Sequence, residues 1–537
     1  MKYLALTAAS VLLVACNNSD GGDGVSVTRV DQATGDSALA ALYLGNSGDG
    51  IVTWDDRSFD DGVYTFTGVV FTDTESDEDA DEAEEAEDGD SDIDFDEVHA
   101  ARMTVAGPRF DDNGDVIFDR LSIEDGRFVS SDESETGGGG FASFIVESPN
   151  AELVADIARG FSGENSDDED TDTSAYRFGL IALNELTAEG TDDESGEDYR
   201  FAMNRFALDG YDGDTLQRFE LMGLEIDGAS PETGPIRIRL AELSMDEIGQ
   251  AFFAPFTEGM RQAMADAAGE DATASDMPDY DPMDAYGAFL MSGLDVNVGG
   301  ILVTLDRMTG EIDDSGNTIV GTTEMTPLVI RPDTEYPLGA QMSLGLGMLG
   351  YQQLEFTAAG ESVYDRGDDR IYTRGENYFE MTDGFRIESE MDLSGYLEYA
   401  QAAMRLSMQG QDEFDMDGMF DPLMINRFVL RIEDMSLLDR ALTAGSAAQG
   451  MSKAELRQQA AAMVTLGMLG APAEIPRPLL TELSQALVGF INEGGTITIA
   501  MEPDQPVSVG TLMEQAESEA LDFDAMGLTI TNTPAED

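Results

Sequence analysis

The chain of 537 residues has one cysteine, one histidine and two lysines. Each shortage removes a class of chemistry. A single cysteine leaves no disulfide within the chain and no thiolate metal cluster. A zinc site built on imidazoles needs more ligands than His99 alone. A Ser-His-Asp triad would have to use that same residue, and no G-x-S-x-G turn accompanies it. Lysine occurs only as Lys2 and Lys453, so the positive charge is nearly all arginine. After the first fifteen residues no apolar run reaches the roughly 20 residues of a membrane-spanning helix. Carboxylates, by contrast, are too abundant for any pair of them to stand out as catalytic.

Acidic residues number 109 against 28 basic ones, a net charge of −81. Such a surface repels nucleic acid and anionic lipid headgroups, and it attracts cations. Weak, non-specific Ca²⁺ or Mg²⁺ binding by acidic loops is the only metal chemistry expected. "DDNGD" (111–115) and "DSDIDFDE" (90–97) both lack the glycine and glutamate that a helix-loop-helix calcium loop places at positions 6 and 12. No dedicated metal or cofactor site is expected. Acid-rich, lysine-poor composition is what adaptation to salt looks like, because salt screens the repulsion between carboxylates.

The cysteine sits in "LLVACNNSDGGDG" (12–24), after one positive residue and a short apolar run. Leu13-Val14-Ala15-Cys16 resembles the lipobox of bacterial lipoproteins. The resemblance implies a signal peptide over 1–15, cleavage before Cys16 and lipidation of its thiol. Residues 16–24 then form a flexible tether, in which "NNSDGGDG" reaches at most ~26 Å at ~3.3 Å per residue. Asn17 after the cysteine points to the outer membrane of the cell envelope.

A strand pattern recurs along the chain. "RLSIEDG" (120–126), "RFALDG" (205–210), "RFELMGLEIDG" (218–228) and "RFVLRIED" (427–434) each open on arginine and alternate apolar with polar residues. Period-two alternation means strands with one buried face. "DDNGD", "DDSGN" (313–317) and "YDRGDDR" (364–370) supply hairpin turns. The expected fold is α+β: a long antiparallel β-meander with packed helices and disordered acidic loop inserts at 73–97, 163–174 and 191–198. The first of these holds sixteen acids in twenty-five residues. "GGGG" (137–140) reads as a flexible link.

Helices are expected over Pro149 to Ala158 with Ser148 as cap, over 244–268 with a kink at Pro255, and over 283–294. Ser452 and Glu455 form a capping box before an apolar stripe, and Leu479, Leu483, Leu487 and Phe490 make a second stripe. The organisation reads as a β-meander domain over 25–240, a helical segment over 241–293, a second meander over 294–440, and a helical pair with closing strands over 441–537. "GLGMLG" (345–350) matches a dinucleotide fingerprint by letters, but its surroundings favour a small-residue helix face available for packing. "LGMLG" recurs at 466–470. The many methionines read as core filling, or as a greasy groove between helices and sheet.

Four stretches carry a wider resemblance: "LGYQQLEFTAAGESVYD", "INRFVLRIEDMSLLDRALTAGSAAQGMSKAELRQQ", "FINEGGTITIAMEPDQPVSV" and "GLTITN". On them the last third of the chain resembles a family of uncharacterised exported proteins of alphaproteobacteria. The meander is loosely similar to YdgA-like and AsmA-like β-repeat envelope proteins, and the second of these implies an acyl-chain groove. The expected function is non-enzymatic: an envelope lipoprotein held to the membrane by Cys16, with a structural, interaction or homeostatic role. Binding of a lipid or other apolar ligand is the alternative, and a carboxylate-based hydrolase is third. No nucleic-acid partner is expected; an envelope protein or an acyl chain is.

Overall fold

The computed structural model describes residues 26–72, 97–131, 135–163, 175–192, 197–230, 234–249, 286–408, 418–469, 476–518 and 521–535. The signal segment, Cys16, the tether, and the expected helix beyond residue 249 as far as 268 lie outside the described residues. So do 73–96, 164–174 and 193–196 of the acidic runs. The chain divides into two compact units, Met1–Ile248 with Asp295–Val298, and Gly249–Leu294 with Gly299–Asp537.

The first unit runs α1 (Gln32–Ala41), β1 (Val52–Thr53), β2 (Asp56–Asp60), β3 (Val63–Thr72), β4 (Glu97–Ala106), β5 (Arg109–Phe110), β6 (Val116–Ile117), β7 (Arg120–Ser131), β8 (Glu135–Glu147), α2 (Ala151–Ser162), β9 (Phe178–Asp192), β10 (Glu197–Tyr211), β11 (Thr215–Ser230) and β12 (Gly234–Gly249). Each long strand from β3 to β11 pairs antiparallel with the next, in the order β3-β4-β7-β8-β9-β10-β11, and β1 and β2 both lie along β3. The small ribbon β5-β6 is the "DDNGD" hairpin. The chain is therefore strand-rich, with the long antiparallel sheet and packed helices expected, and mostly β where an α+β fold was expected. Its strands are long because alternation continues through segments that read as loops.

A line of irregularity crosses this sheet. Directly paired residues form one apolar row through Phe66, Met103, Ile123, Phe144, Leu183, Phe206 and Leu221. A second row runs through Phe71, Val98, Phe128, Gly139, Ala188, Phe201 and Ile226. Between the rows every strand skips a pairing. Gly68, Asp125, Glu185 and Gly223, on alternate strands, take left-handed φ values of 62°, 53°, 54° and 62°. The extra residue moves the apolar set from one parity to the other in each strand while the face stays the same. Bulges of this kind bend a strand and add twist.

Two of those positions are sensitive to the side chain they carry. Glu185→Gly is expected to stabilise the unit by about 0.5–1 kcal/mol, since only glycine adopts this φ freely. Gly223→Ala is expected to destabilise it by more than about 1 kcal/mol, because a Cβ there falls 2.1 Å from Asn204 Nδ2. Urea midpoints of the two variants should move in opposite directions.

Two expectations are corrected by the sheet. Residues 241–249 belong to β12 and residues 288–293 to a further strand, not to a helical segment. Leu240, Ser244 and Ile248 are buried at a spacing of four, which imitates a helix. Every fourth residue of a strand also lies on one face, so the spacing suits both elements. Glu247 and Gly293 take left-handed φ values of 52° and 63° within these two strands. "GGGG" is likewise no link. Gly137 to Gly140 are paired on both sides, with β7 and β9. A Cβ on Gly139 would meet the Phe128 ring at 2.5 Å, so glycine there makes room for the aromatic ring.

The core of this unit lies under α1 and α2. Leu39 of α1, Leu42 at its C-cap and Val154 of α2 pack with Tyr64, Phe66, Met103 and Leu121, all essentially buried. Each such side chain contributes about 1.5–3 kcal/mol on burial. Asp31 caps α1 through a bond from Thr34 N of 3.1 Å. The cap of α2 is Asn150, not Ser148, which instead sits at φ 50°. Burial and a bond to Asp36 push the Tyr64 phenol up to about 12.

The second unit contains most of β13 (Ala288–Val298), then β14 (Ile301–Asp314), β15 (Thr318–Pro332), α3 (Pro337–Met348), β16 (Leu354–Asp365), β17 (Arg370–Thr373), β18 (Tyr378–Met381), β19 (Phe385–Ser394), α4 (Tyr396–Met408), β20 (Met424–Asp434), α5 (Leu437–Gln449), α6 (Lys453–Leu469), α7 (Arg477–Glu493), β21 (Gly495–Met501), β22 (Val507–Ser508), α8 (Val509–Glu517) and β23 (Leu528–Thr533). From β14 the antiparallel order is β14-β15-β16, then β17 and β18 end to end in one position, then β19-β20-β21-β23. The "DDSGN" and "YDRGDDR" turns join β14 to β15 and β16 to β17 as expected.

Helix α7 packs Leu479, Leu483, Ala486, Leu487 and Phe490 onto Ile497, Ile499 and Ile530 of the sheet. The Ser452–Glu455 capping box forms, with Ser452 N donating to Glu455 Oε2 at 2.8 Å and Glu455 N to Ser452 Oγ at 3.2 Å. Residues 345–348 of "GLGMLG" and the described part of "LGMLG" are helical. The helical glycines do not pack, however: a Cβ on Gly345, Gly347 or Gly467 would meet nothing within 4 Å.

Candidate functional site

The recurring arginine that opens the strand motifs has one structural use. It lies on the polar face of the sheet and reaches a carboxylate on a neighbouring strand. Arg120 pairs with Glu147 at 3.4 Å, Arg205 with Glu220 at 2.9 Å, and Arg218 with Asp246 at 3.1 Å. Arg237 and Arg239 of β12 reach Asp227 and Glu225 of β11 at 3.4 and 3.9 Å.

The densest such cluster borders a recess of about 430 Å³ on the second unit, lined among others by Asp368, Arg370, Tyr372, Glu390, Asp392 and Arg427. Alternation on β19 and β20 places these charges on one face. The opposite face carries Ile387, Met391, Phe428, Leu430 and Ile432. Arg370 grips Asp392 with two nitrogens, the Nε contact being 2.6 Å, and Asn426 Nδ2 donates to the same carboxylate at 3.1 Å. Glu390 accepts from Arg427 and, at 2.6 Å, from Arg431. Arg427 Nε reaches on to Glu502 at 2.8 Å. Beneath the two arginine stems Val429 is buried, as expected when long basic side chains lie along apolar surface.

This chemistry is that of a saturated ladder. Hydrogen bonds from Arg427 and then Arg431 hold the Glu390 carboxyl below its usual range. Those from Arg370 do the same for Asp392. Neither can deliver a proton near neutrality. A depressed carboxylate adds stability above its unfolded value, and that stability is lost as pH falls through the folded value. Glu390→Gln is therefore expected to cost up to about 1 kcal/mol at pH 6, a modest figure because the group is partly solvated. The difference from wild type should shrink below about pH 4 in paired urea titrations.

Among the described carboxylates, Asp209 on β10 is pushed up, by burial first and then by the charge of Glu220. Its neighbour Glu220 is net lowered: burial raises it, but bonds from Arg205 and Arg218 outweigh this. Both belong to the first unit's sheet. A second recess of about 350 Å³ lies in the first unit between Ala41, Tyr43, Val116, Val154, Ala158 and Arg159. Small residues line much of it, Asp115 adds a carboxylate, and Arg159 turns to Asp156 at 2.7 Å.

His99 is an exposed residue of β4, with Nε2 2.8 Å from Glu97 Oε2. Asp111 of "DDNGD" commits its carboxylate to the turn, accepting from Asn113 N at 2.8 Å and Asp115 N at 2.9 Å. Among the described residues no three His, Cys, Asp or Glu side chains are grouped as a metal would need. The arginine ladder is what sequence reasoning missed as a unit. Its signal was present in the arginine opening each strand motif, but the carboxylate partners lie on other strands.

A protein-family model described as "Uncharacterized protein" matches residues 378–533. The match spans β18 to β23 and so contains Glu390, Asp392, Arg427, Arg431 and Glu502 of the ladder. No curated protein matches the chain.

Proposed function

We propose that this chain is a membrane-anchored, non-enzymatic lipoprotein of the bacterial envelope, lipidated at Cys16, with a structural or interaction role. The observation that supports a non-enzymatic reading is the recess on the second unit. Glu390 and Asp392 there are held by Arg370, Arg427 and Arg431 of neighbouring strands, which keep both ionised. The long antiparallel sheets offer extended surface rather than an enclosed site. The test is cross-linking in intact cells, comparing wild type with Cys16→Ser. A discrete cross-linked partner that disappears when the protein is released from the membrane fraction supports the reading. Absence of any such product, together with turnover of a small substrate, would sink it.

One observation favours a second reading, in which an apolar ligand is held. Beyond the bulge line the first unit's apolar face carries Phe141, Leu186, Phe201, Leu224 and Ile226, all half-buried rather than buried. Aromatic rings there lie across glycines of neighbouring strands, Phe141 over Gly126 and Tyr199 over Gly190. The floor is smooth enough for an acyl chain. Native mass spectrometry of the unacylated protein should then show co-purified lipid, and uniformly ligand-free protein would count against it.

A further inference from the structure

In a chain where about one residue in four is charged, the nineteen residues 336–354 carry no charge at all, the longest such run after residue 25. Helix α3 lies inside it. One side of α3 is fixed in the second unit's core, with Leu346 buried and Met342 packed beside Tyr351 and Met381. The other side presents Leu338, Leu344 and Met348, which are 40%, 74% and 65% exposed. With Gln341 they fall at positions i, i+3, i+6 and i+10, a single strip along the helix. Gly345 and Gly347 beside it add no bulk and have open space around them. Large apolar side chains this exposed, on a helix with exposed glycines, gain nothing from the described fold.

We propose that the strip on α3 lies against the neutral part of a lipid bilayer surface. Charge selects this occupant. A second copy would bring another −81 charges to the contact, so self-association through this face is opposed. A basic protein would be drawn to the carboxylates elsewhere, not to a strip without charge. A zwitterionic interface takes up apolar side chains and imposes neither penalty. At twelve residues α3 is about 18 Å long, suited to lying in the interface and too short to cross it. The inference rests on the envelope-membrane reading only in that a bilayer must be within reach.

The test uses the chain from residue 17, which keeps every described residue and has no acyl anchor. It is mixed with phosphatidylcholine vesicles in 0.5 M NaCl and separated by flotation. Wild type floats, and Leu344→Asp/Met348→Asp lowers its partition coefficient by at least about tenfold. Val129→Asp, at a lone exposed apolar residue of β7, leaves it within about twofold. An unchanged unfolding temperature shows that the variants fold. The proposal is overturned if wild type stays unbound, if the α3 variant floats like wild type, or if the Val129 variant is the one that fails. It is also overturned if wild type is a dimer that the α3 variant converts to monomer. Failure of the anchor reading shows separately, as absence of acyl chains on Cys16 in cells.

Discussion

Replacing Asp119 with alanine lowers the stability of the first unit by about 3–5 kcal/mol, the cost of breaking a buried ion pair. Asp119 is buried, only 7% exposed, at the start of β7. Its Oδ1 accepts from Arg109 Nη1 at 2.7 Å, and its Oδ2 from the backbone N of Thr28 at 2.5 Å. Thr28 Oγ1 adds a longer bond of 3.3 Å. Gly107, at φ 62°, makes space for the carboxylate, since a Cβ there would sit 2.2 Å from Oδ2. One side chain thus fastens the first described segment of chain to the β4-β7 corner. For a unit of about 150–250 residues the loss is roughly 6–20 °C in unfolding temperature. Asp119→Asn keeps an acceptor for Thr28 and should lose less. A calorimetric shift below about 2 °C for the alanine variant would defeat the argument.

The second large effect is that of salt. Raising NaCl from 0.1 to 1 M is expected to raise the unfolding temperature by on the order of 10 °C, as the screening length falls from about 10 to about 3 Å. Two effects oppose one another. The cross-strand arginine ladders weaken with salt, but exposed pairs contribute at most about 1 kcal/mol each. Against them stand 109 acids facing 28 basic residues, so most carboxylates have no basic partner and repel one another in the compact state. Relief of that repulsion outweighs the weakening of the ladders. KCl should act as NaCl does, since screening does not distinguish them. A flat or falling melting curve across this range would mean that the acidity serves something other than tolerance of salt.

The strands were legible where alternation runs unbroken. "RFVLRIED" and "TITIAM" lie in β20 and β21 with their apolar faces toward the core side, and the hairpins fall at the Gly-Asp turns. The capping box at Ser452 is local chemistry, complete within four residues, and it forms as written. Alternation misleads where its spacing also suits a helix. A buried set at 240, 244 and 248 fits i, i+4, i+8 of a helix and one face of a strand alike, and it belongs to β12. Serine at 148 suits the cap of α2 by residue type, yet Asn150 makes the bond, at 3.4 Å to Leu153 N. The tetraglycine looks like a link in one dimension. In the sheet it is the floor beneath an aromatic ring of the preceding strand.

Composition alone set the expectations of no zinc-histidine site, no disulfide and no nucleic-acid partner, because the chain has one histidine, one cysteine and a net charge of −81. It also set the acidic surface and the need for one-sided strands. The resemblance of Leu13-Val14-Ala15-Cys16 to a lipobox is likewise local, a property of four adjacent residues. Three things were left to the packing of the folded chain. Pairing chose which carboxylate each arginine meets, since Arg427 and Glu390 are brought together only by the β19-β20 register. The sheet aligned Gly68, Asp125, Glu185 and Gly223 into one line, although they are scattered through the sequence. And the core decided which side of a charge-free helix is hidden: Leu346 goes inward and Leu344 outward, two residues of the same kind that only their neighbours in space distinguish.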